Sequence, residues 1–284
     1  MTLFRKLKNF DLSKLKKPTI VIGLPGIGNV GKISVDFIIE SLKPEEVGKF
    51  YVDIPPMIFA SQTGIEFPAI KVYHLQQNEK DFLFIAGDYQ PRDSKCFEFC
   101  TTVIDFFKEV DGKEIIVLGG AAFPDEIDNP VIYYLSSSSD LEKKYSKLAT
   151  GRLNLNSASG NLGPIVGVAG VILGLAKEQN IQATTFLTEI NDKEYFNIAS
   201  VRAALNLVNQ LTELDIDTSK LNLRINTLES ELKRLTEGMQ KNISRNKLKG
   251  KTISNKIIDQ NDRKEKSKES PEIVDEVDRA WYIG

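Results

Sequence analysis

Residue types that carry metal and nucleophile chemistry are scarce in this chain of 284 residues. It has two cysteines, Cys96 and Cys100, and one histidine, His74. Two thiols in one predicted helix argue against a disulfide framework and favour a reducing cytoplasm as the location. A zinc site would need more soft ligands, so we expect no metal and no cofactor. His74 lies in the middle of a predicted strand, where we expect a hydrogen-bonded structural role rather than a place in a catalytic triad.

Long apolar runs and an excess of one charge are also lacking. The longest apolar stretch, residues 162–176, is rich in glycine and shorter than the roughly 20 residues that span a bilayer. The basic N-terminus lacks the apolar run of a signal peptide. The formal net charge is −2, so no protein-wide field attracts nucleic acid. We therefore expect neither a membrane nor a nucleic acid as a partner.

What is present is an alternation of short apolar runs with helical patterns up to about residue 215. The predicted strands are 18–22, 49–53, 69–75, 81–86, 114–118 and 183–188, and the predicted helices are 30–42, 94–110, 163–178 and 198–213. Buried-type strands separated by helices indicate an α/β fold with a mostly parallel, mixed sheet and helices on both faces. Residues 66–84 have no intervening helix, so we expect a hairpin or mixed pairing there. The polar residues 124–159 are interpreted as an excursion over the sheet.

The pattern changes after Asp217, and we predict three parts: an α/β domain over 1–217, a helix over 218–243 and a disordered tail over 244–284. Apolar residues from Leu221 to Met239 recur alternately four and three residues apart, which is a short heptad seam. That helix packs either on its own domain or against another subunit. The tail contains too few apolar residues to offset the entropy of ordering it.

A glycine-rich turn is the clearest small-molecule motif. Gly26, Gly28 and Gly31 form a G-x-G-x-x-G pattern between a predicted strand and helix, and Asp53 follows about 20 residues later, the spacing of the dinucleotide fingerprint. Such glycines let a helix N-terminus approach a pyrophosphate. The other interpretation is a tight turn that packs the helix closely on the sheet. A nucleotide- or dinucleotide-binding enzyme is therefore the alternative function.

Two further features accompany this turn. Asp88 ends another predicted strand, where α/β sheets place functional groups, but it has no partner carboxylate for acid–base work. A second glycine run extends from Gly160 to Gly174, and its Pro164 suits the start of a helix. Its glycines predict close packing of that helix on the sheet, with anion binding at the helix start as the alternative. We assign no catalytic residue.

The C-terminus carries isolated aromatic residues. No Phe, Trp or Tyr occurs from Asn197 to Ala280, and then the only tryptophan, Trp281, precedes Tyr282, Ile283 and Gly284. A disordered tail gains no solubility from such residues, whereas aromatic anchors fit a pocket on a partner. The alternative is that Trp281 folds back onto its own domain. These observations favour a binding protein over an enzyme, with these four residues as the partner-binding motif.

Five segments taken together resemble the proteasome assembly chaperone two family, whose archaeal members are also described as ATP-grasp-like. They are GLPGIGNVGKISVDFIIESL (23–42), IPPMIFASQTGIEFPAIKVYHL (54–75), DFLFIAGDYQP (81–91), KEIIVLGGAAFP (113–124) and SGNLGPIVGVAGVILGLAKEQNI (159–181). The predicted closing helix, 198–217, is also similar to the family. The resemblance implies a fold akin to nucleoside phosphorylases without a demonstrated enzyme activity, homo-oligomers, and partners among proteasome α subunits.

The same resemblance bears on the last residues. Archaeal members often end in a hydrophobic residue, a tyrosine and one further residue, which dock between α subunits. Trp281, Tyr282 and Ile283 match that order, but Gly284 adds one residue, so the tyrosine is not penultimate. We therefore expect the contacts to be made by Trp281 and Tyr282 rather than by the terminal carboxylate.

Overall fold

The structure is a computed structural model that describes residues 2–8, 10–61, 64–149, 153–227 and 230. The contacts divide the chain into two units between Thr218 and Ser219. In the first unit the strands are β1 Leu3–Lys6, β2 Thr19–Gly23, β3 Glu45–Tyr51, β4 Phe59–Ser61, β5 Gly64–Glu66, β6 Ile70–Gln77, β7 Lys80–Gly87, β8 Glu114–Phe123, β9 Ile132–Ser136, β10 Leu155–Ser157 and β11 Ala183–Asn191. Its α-helices are α1 Val30–Leu42, α2 Asp93–Glu109, α3 Ser139–Leu148, α4 Gly167–Glu178 and α5 Ile198–Thr212.

One large sheet contains all of these strands except β4 and β5, which form a separate antiparallel hairpin. The strand order of the sheet is β1-β3-β6-β7-β2-β8-β11-β9-β10. The four central strands, β7, β2, β8 and β11, are parallel, and antiparallel pairs lie on either side of them. The prediction of a mixed α/β sheet is confirmed, and β6 with β7 forms the hairpin expected between residues 66 and 84.

The central strands are buried on both faces, as their near-continuous apolar sequences predict. On one face, α2 and α4 cover the main core, in which Phe99 and Ile172 belong to the same cluster as Ile20 of β2. On the other face, Val30 of α1 and Ala204 of α5 form a cluster with a β11 side chain. Each face of the sheet therefore carries a pair of packed helices.

Direct backbone contact fixes the start of α1 on the sheet. A Cβ atom added to Gly31 would lie far inside van der Waals contact with the carbonyl oxygen of Leu118 in β8. A Cβ atom added to Gly23 would collide in the same way with the carbonyl oxygen of Gly31. Since both collisions involve backbone atoms, no side-chain rotation relieves them. The glycines at these two positions are therefore required by the packing of α1 between β2 and β8.

The second glycine run differs from its prediction. Helix α4 begins at Gly167 rather than at residue 163, and the residue before it, Val166, has an extended backbone conformation. The space at Gly170 is closed by the carbonyl oxygen of Ile165, and not by the sheet. Gly174 has no atom within 4 Å of an added Cβ. The prediction of close glycine packing of this helix on the sheet is wrong at these two positions.

The polar region 124–159 is part of the sheet, and not only an excursion over it. Strand β9 pairs with β11, and β10 pairs with β9, so the region adds two strands to one side. The helix between them, α3, buries only Leu141 and Tyr145, which explains its weak apolar signal. Strand β1, a short edge strand with two basic residues, was not predicted from the sequence. Strand β3 ends at Tyr51 rather than at residue 53.

The second unit begins with the residues that follow Thr218. A helix starts at Leu221 and is described as far as Thr227. The rest of the heptad seam and the motif from Trp281 to Gly284 lie outside the described residues. The predicted parts 1–217, 218–243 and 244–284 therefore stay predictions. Throughout the described ranges, no helix is both long and apolar enough to cross a membrane.

Substituting Gly31 with alanine tests the backbone contact. We expect Gly31→Ala to lower the free energy of unfolding by roughly 1–3 kcal/mol, because α1 must move away from β8 to admit the methyl group. Gly174→Ala is the matched control in a helix. There the space is open, so the better helix propensity of alanine should raise stability by about 0.5–1 kcal/mol. Urea unfolding of both variants measures the difference, and equal stability of Gly31→Ala and the wild type would contradict the close contact.

Candidate functional site at the carboxyl edge of the sheet

The topology brings the glycine turn, Asp53 and Asp88 to the same edge of the sheet. Strands β2, β7, β8 and β11 are parallel and end there. Strand β3 also ends there, because it is antiparallel to β6, which is antiparallel to β7. This carboxyl edge is where open α/β sheets bind ligands. The residues predicted from the sequence are thus on the correct side of the fold for a binding site.

Packing accounts for the glycines of the turn after β2. Gly28 has a φ of 60°, a left-handed conformation that favours glycine. A Cβ atom there would also collide with the side chain of Ile190 in β11. At Gly26, an added Cβ would lie 3.1 Å from Nε2 of Gln90. The turn is therefore tightly enclosed by neighbouring residues, as the close-packing interpretation of the motif requires.

Asp53 does not lie beside this turn. Strands β6 and β7 stand between β3 and β2, so at about 4.8 Å per strand the ends of β3 and β2 are roughly 14 Å apart. In the dinucleotide fingerprint the acidic residue ends the strand next to the glycine turn. The structure does not bring these parts together in that way, and nucleotide binding by Gly26, Gly28, Gly31 and Asp53 stays a prediction without geometric support.

The Asp53 carboxylate is instead bound by Arg92. The arginine donates from Nε to Oδ2 at 2.5 Å and from its second terminal nitrogen to Oδ1. The Asp53 side chain is 10% exposed, whereas that of Arg92 is 81% exposed. Hydrogen bonding by the guanidinium holds the pKa of Asp53 below its usual value. A carboxylate in this state is an ionised anchor for the chain and is poorly suited to accept or release protons near neutral pH.

Asp88 and Tyr89 hold the chain on either side of Asp53. The Asp88 carboxylate accepts a hydrogen bond from the backbone N–H of Ala69 at 2.9 Å, and the Asp88 N–H donates to the Ala69 carbonyl at 3.1 Å. The hydroxyl of Tyr89 donates to the Val52 carbonyl at 2.6 Å. Burial, followed by the nearby Asp53 carboxylate, raises the pKa of Tyr89 to about 12. The segment between Val52 and Ala69 is therefore fastened at both ends.

Gln90 extends the same set of contacts to the other side of the edge. Its side-chain N–H donates to the carbonyl oxygen of Pro25 in the glycine turn. Its Oε1 lies close to the first residue of α4, where a Cβ on Gly167 would approach to 3.1 Å. Residues 88–92, which we name the clasp loop, thus connect the segment after β3, the glycine turn and the start of α4.

Three residues of the clasp loop were not predicted from the sequence: Tyr89, Gln90 and Arg92. The available signal was the polar cluster Asp-Tyr-Gln-Pro-Arg immediately after the buried strand β7. Polar residues at the carboxyl end of a central strand are placed to interact with several neighbouring loops. Which loops they reach depends on strand order, which the linear sequence does not contain.

Large apolar side chains are exposed in the segments that follow the strands at this edge. They include Ile27 in the glycine turn and Tyr195 after β11, and several residues between β3 and β6. Contiguous exposed apolar patches mark interaction sites or ligand-binding grooves. The carboxylates of Asp53 and Asp88 are engaged in hydrogen bonds that hold the chain.

The histidine and the two cysteines, the other residues considered for catalysis or metal binding, lie away from the carboxyl edge or are buried. His74 Nε2 lies 2.7 Å from Asp81 Oδ1, and Asp81 Oδ2 accepts the N–H of Lys16 at 2.9 Å. This pair sits near the turn between β6 and β7, at the opposite edge of the sheet. Cys96 and Cys100 are free thiols buried in α2. Within the described part of the chain, no group of three His, Cys, Asp or Glu residues is arranged to hold a metal ion.

Comparison with known proteins gives one family and several similar folds. The model of the PAC2 family matches residues 20–236. An uncharacterized protein of Methanocaldococcus jannaschii, MJ1210, is 24% identical over 243 residues, which cover 84% of this chain and 90% of that protein.

Two solved structures from Pyrococcus furiosus have similar folds. PbaB, described as an archaeal proteasome activator, has a TM-score of 0.72 at 24% identity and covers 83% of this chain and 98% of its own. PbaA, described as an archaeal homolog of proteasome-assembly chaperone, has a TM-score of 0.66 at 18% identity, with coverages of 88% and 98%. These similarities confirm the predicted fold.

The Arg92 contact predicts a specific loss of stability in acid. Because the pKa of Asp53 is lowered in the folded state, its contribution is fully present above the ordinary aspartate pKa of about 3.9 and is lost as the pH falls through the lower, folded-state value. Asp53→Asn should therefore flatten the fall of unfolding free energy below about pH 4. Urea unfolding at a series of pH values measures this slope. Asp105→Asn, at an exposed position on α2, is the control, and an unchanged slope in Asp53→Asn would contradict the assignment.

We expect the hydrogen bond from the Tyr89 hydroxyl to the Val52 carbonyl to stabilise the fold to the same extent at all pH values near neutrality. Tyr89→Phe leaves the Val52 carbonyl without its donor, which should cost about 1–2 kcal/mol of unfolding free energy. Limited proteolysis should also cut between residues 53 and 68 more rapidly, because one fastening of that segment is lost. Tyr195→Phe, at a tyrosine that is 78% exposed, should change neither measurement. Wild-type stability in Tyr89→Phe would show that the hydrogen bond does not fasten the segment.

Proposed function

Because the chain belongs to the PAC2 family, we propose that it acts on proteasome assembly or activity by binding proteasome α subunits through Trp281, Tyr282, Ile283 and Gly284. The observation that carries this proposal is the family match over residues 20–236. The similar fold of PbaB, described as an archaeal proteasome activator, supports the same proposal. The role is that of a binding protein, with no reaction assigned to the domain.

The distribution of aromatic residues supports the C-terminal motif as the contact. The 84 residues from Asn197 to Ala280 contain no aromatic side chain, and Trp281 is the only tryptophan in the chain. Aromatic anchors contribute most to binding when they fill a pocket on the partner. A flexible tether of some 36 residues before the motif would have an end-to-end distance of about 30–36 Å. Such a reach would let the motif find a pocket on a partner without a matching surface on the domain.

The carboxyl edge is consistent with a binding role. Its two candidate carboxylates, Asp53 and Asp88, accept hydrogen bonds that fasten the chain. Its exposed side chains include large apolar groups that suit contact with protein. We further propose that the chain works in the cytoplasm as a homo-oligomer, so that several C-terminal motifs act together and a weak contact gains avidity.

Truncation of the motif tests this proposal. A chain that ends at Ala280 should lose binding to purified proteasome α subunits in a pull-down, and Trp281→Ala with Tyr282→Ala should lose most of it. Phe97→Ala, which removes an exposed aromatic residue on α2, is the matched control and should bind like the wild type. Undiminished binding by the chain that ends at Ala280 would overturn the tail mechanism.

Removal of Gly284 alone distinguishes the aromatic contact from the carboxylate contact. A chain that ends at Ile283 makes Tyr282 penultimate and moves the terminal carboxylate one residue closer to it. If Trp281 and Tyr282 supply the contacts, binding should be retained in this chain. A loss of binding comparable to that of the chain ending at Ala280 would instead identify Gly284 and its carboxylate as the essential group. Surface plasmon resonance on immobilised α subunits gives both affinities.

A further inference from the structure

A dense run of basic residues covers the end of β1 and the segment that leads from β1 to β2. Residues 5–17, which we name the basic segment, contain six basic side chains and one acidic side chain, a net charge of +5. Since the whole protein has a net charge of −2, the rest of the chain carries −7. Five of the six basic residues are lysines, and all five are exposed: Lys6, Lys8, Lys14, Lys16 and Lys17.

The basic segment is held against the fold, so its lysines extend from a fixed support. The N–H of Leu7 donates to the carbonyl of Val47 in β3 at 2.8 Å, and the N–H of Lys16 donates to the buried carboxylate of Asp81 at 2.9 Å. Three apolar side chains of the segment pack against the main core: Phe10, Leu12 and Leu15. A support that is already ordered loses little conformational entropy when a partner binds to it.

The one carboxylate within the basic segment leaves it strongly positive. Oδ1 of Asp11 accepts hydrogen bonds from the Ser13 N–H at 3.1 Å and from the Ser13 hydroxyl at 2.8 Å. These bonds, followed by the charges of Lys14 and Lys6, hold the pKa of Asp11 below its usual value. Lys6 and Lys14 therefore lie near the same carboxylate, although eight positions separate them. Across the residues that the structure describes, none of the five lysines forms an ion pair.

We propose that the basic segment is a docking surface for an acidic segment of a partner protein. Positive charges held close together repel one another, and carboxylates brought opposite them relieve that repulsion. Basic residues on an edge strand also protect the edge from unwanted pairing, but β1 ends at Lys6, and the other four lysines lie beyond it. The basic segment is separate from the C-terminal motif, so this proposal does not rest on the proposed function.

The side chains favour an acidic protein over a nucleic acid or an anionic membrane. Single-stranded nucleic acids stack their bases on exposed aromatic rings, whereas Phe4 and Phe10 pack against the core. Arginine is the preferred residue for recognising phosphate, and the single arginine, Arg5, lies over the ring of Tyr51 at 5.3 Å. A segment that lies on a membrane buries an apolar face in the lipid, but here most of that face is buried in the protein.

Binding of an acidic peptide to the full-length protein tests the proposal. The probe is a labelled peptide of about ten residues in which glutamate and serine alternate. Fluorescence anisotropy should show saturable binding at about 50 mM salt, and binding should weaken about tenfold at about 300 mM, because salt screens exposed charges. Lys6→Gln with Lys8→Gln and Lys14→Gln should weaken binding by roughly 3- to 100-fold, since each exposed ion pair changes the dissociation constant by a factor of about 1.5–5.

A matched triple variant separates a docking surface from a general effect of net charge. Lys143→Gln with Lys147→Gln and Lys193→Gln removes the same charge at exposed positions on α3 and after β11. It should bind the peptide like the wild type. An equal loss of binding in both triple variants, or no saturable binding by the wild type at low salt, would overturn the proposal.

Two further probes decide the chemical class of the partner. An oligothymidylate of matched charge and vesicles that contain phosphatidylserine should both bind more weakly than the peptide. Equal or tighter binding of either one would assign the surface to nucleic acid or to membrane and overturn the proposal.

The folded state and the C-terminus need their own controls. Circular dichroism and thermal melting establish that the variants are folded, and Lys8→Gln with Lys14→Gln and Lys16→Gln replaces the first triple variant if that one does not fold. The chain ending at Ala280 should bind the peptide like the wild type. A loss of peptide binding at that truncation would place the contact in the tail and overturn the proposal, whereas a loss of α-subunit binding alone would leave it standing.

Discussion

The backbone contact between α1 and the centre of the sheet is the constraint on which the carboxyl edge depends. With glycine at positions 23 and 31, no side chain separates the first turn of the helix from β2 and β8. The turn that precedes the helix is consequently held in a fixed position against the ends of β2 and β8. Gln90 donates to the carbonyl of Pro25 in that turn, so the clasp loop takes its position from the same contact. A methyl group in this place would displace the helix and the loop that hydrogen-bonds to it.

The clasp loop then determines what the edge is able to do. It uses its polar atoms to fasten other segments: Arg92 binds Asp53, Asp88 binds the backbone of Ala69, and Tyr89 binds the backbone of Val52. The pKa values of Asp53 and Tyr89 are both shifted away from neutrality, that of Asp53 downward and that of Tyr89 upward. The segment that the loop fastens is apolar and almost free of charge. The clasp loop therefore positions an exposed apolar segment at the carboxyl edge.

The sequence predicted the centre of the fold well and its periphery poorly, and the difference has physical causes. Strands such as β2 and β7 are buried on both faces, so their apolar runs are continuous and easy to recognise. Helix α3 and strand β10 bury few side chains, so their pattern is weak. The start of α4 was placed too early because Pro164 is a common first residue of helices. The glycine turn was identified, but its link to Asp53 assumed that β3 would lie beside β2.

That assumption fails because strand order is a property of the tertiary structure. The chain passes from β3 through the exposed hairpin to β6 and β7 before the sheet reaches β2. The hairpin was not predicted because Pro55 and Pro56 precede it and its strands have only three residues each. A motif defined by spacing along the chain is therefore satisfied here without the spatial neighbourhood that gives it chemical meaning.

Association of several copies, as proposed above, would also set the strength of binding through the C-terminus. Each copy contributes one aromatic motif, and a second motif on the same assembly binds at an effective concentration fixed by the tether, not by the bulk solution. An assembly of two or more copies can then bind a partner with repeated subunits far more tightly than one copy does. In this arrangement the folded domain affects the partner without contacting it, because it determines how many motifs act together. The folded domain and the last four residues would thus be coupled through the number of chains in the assembly and not through a shared surface.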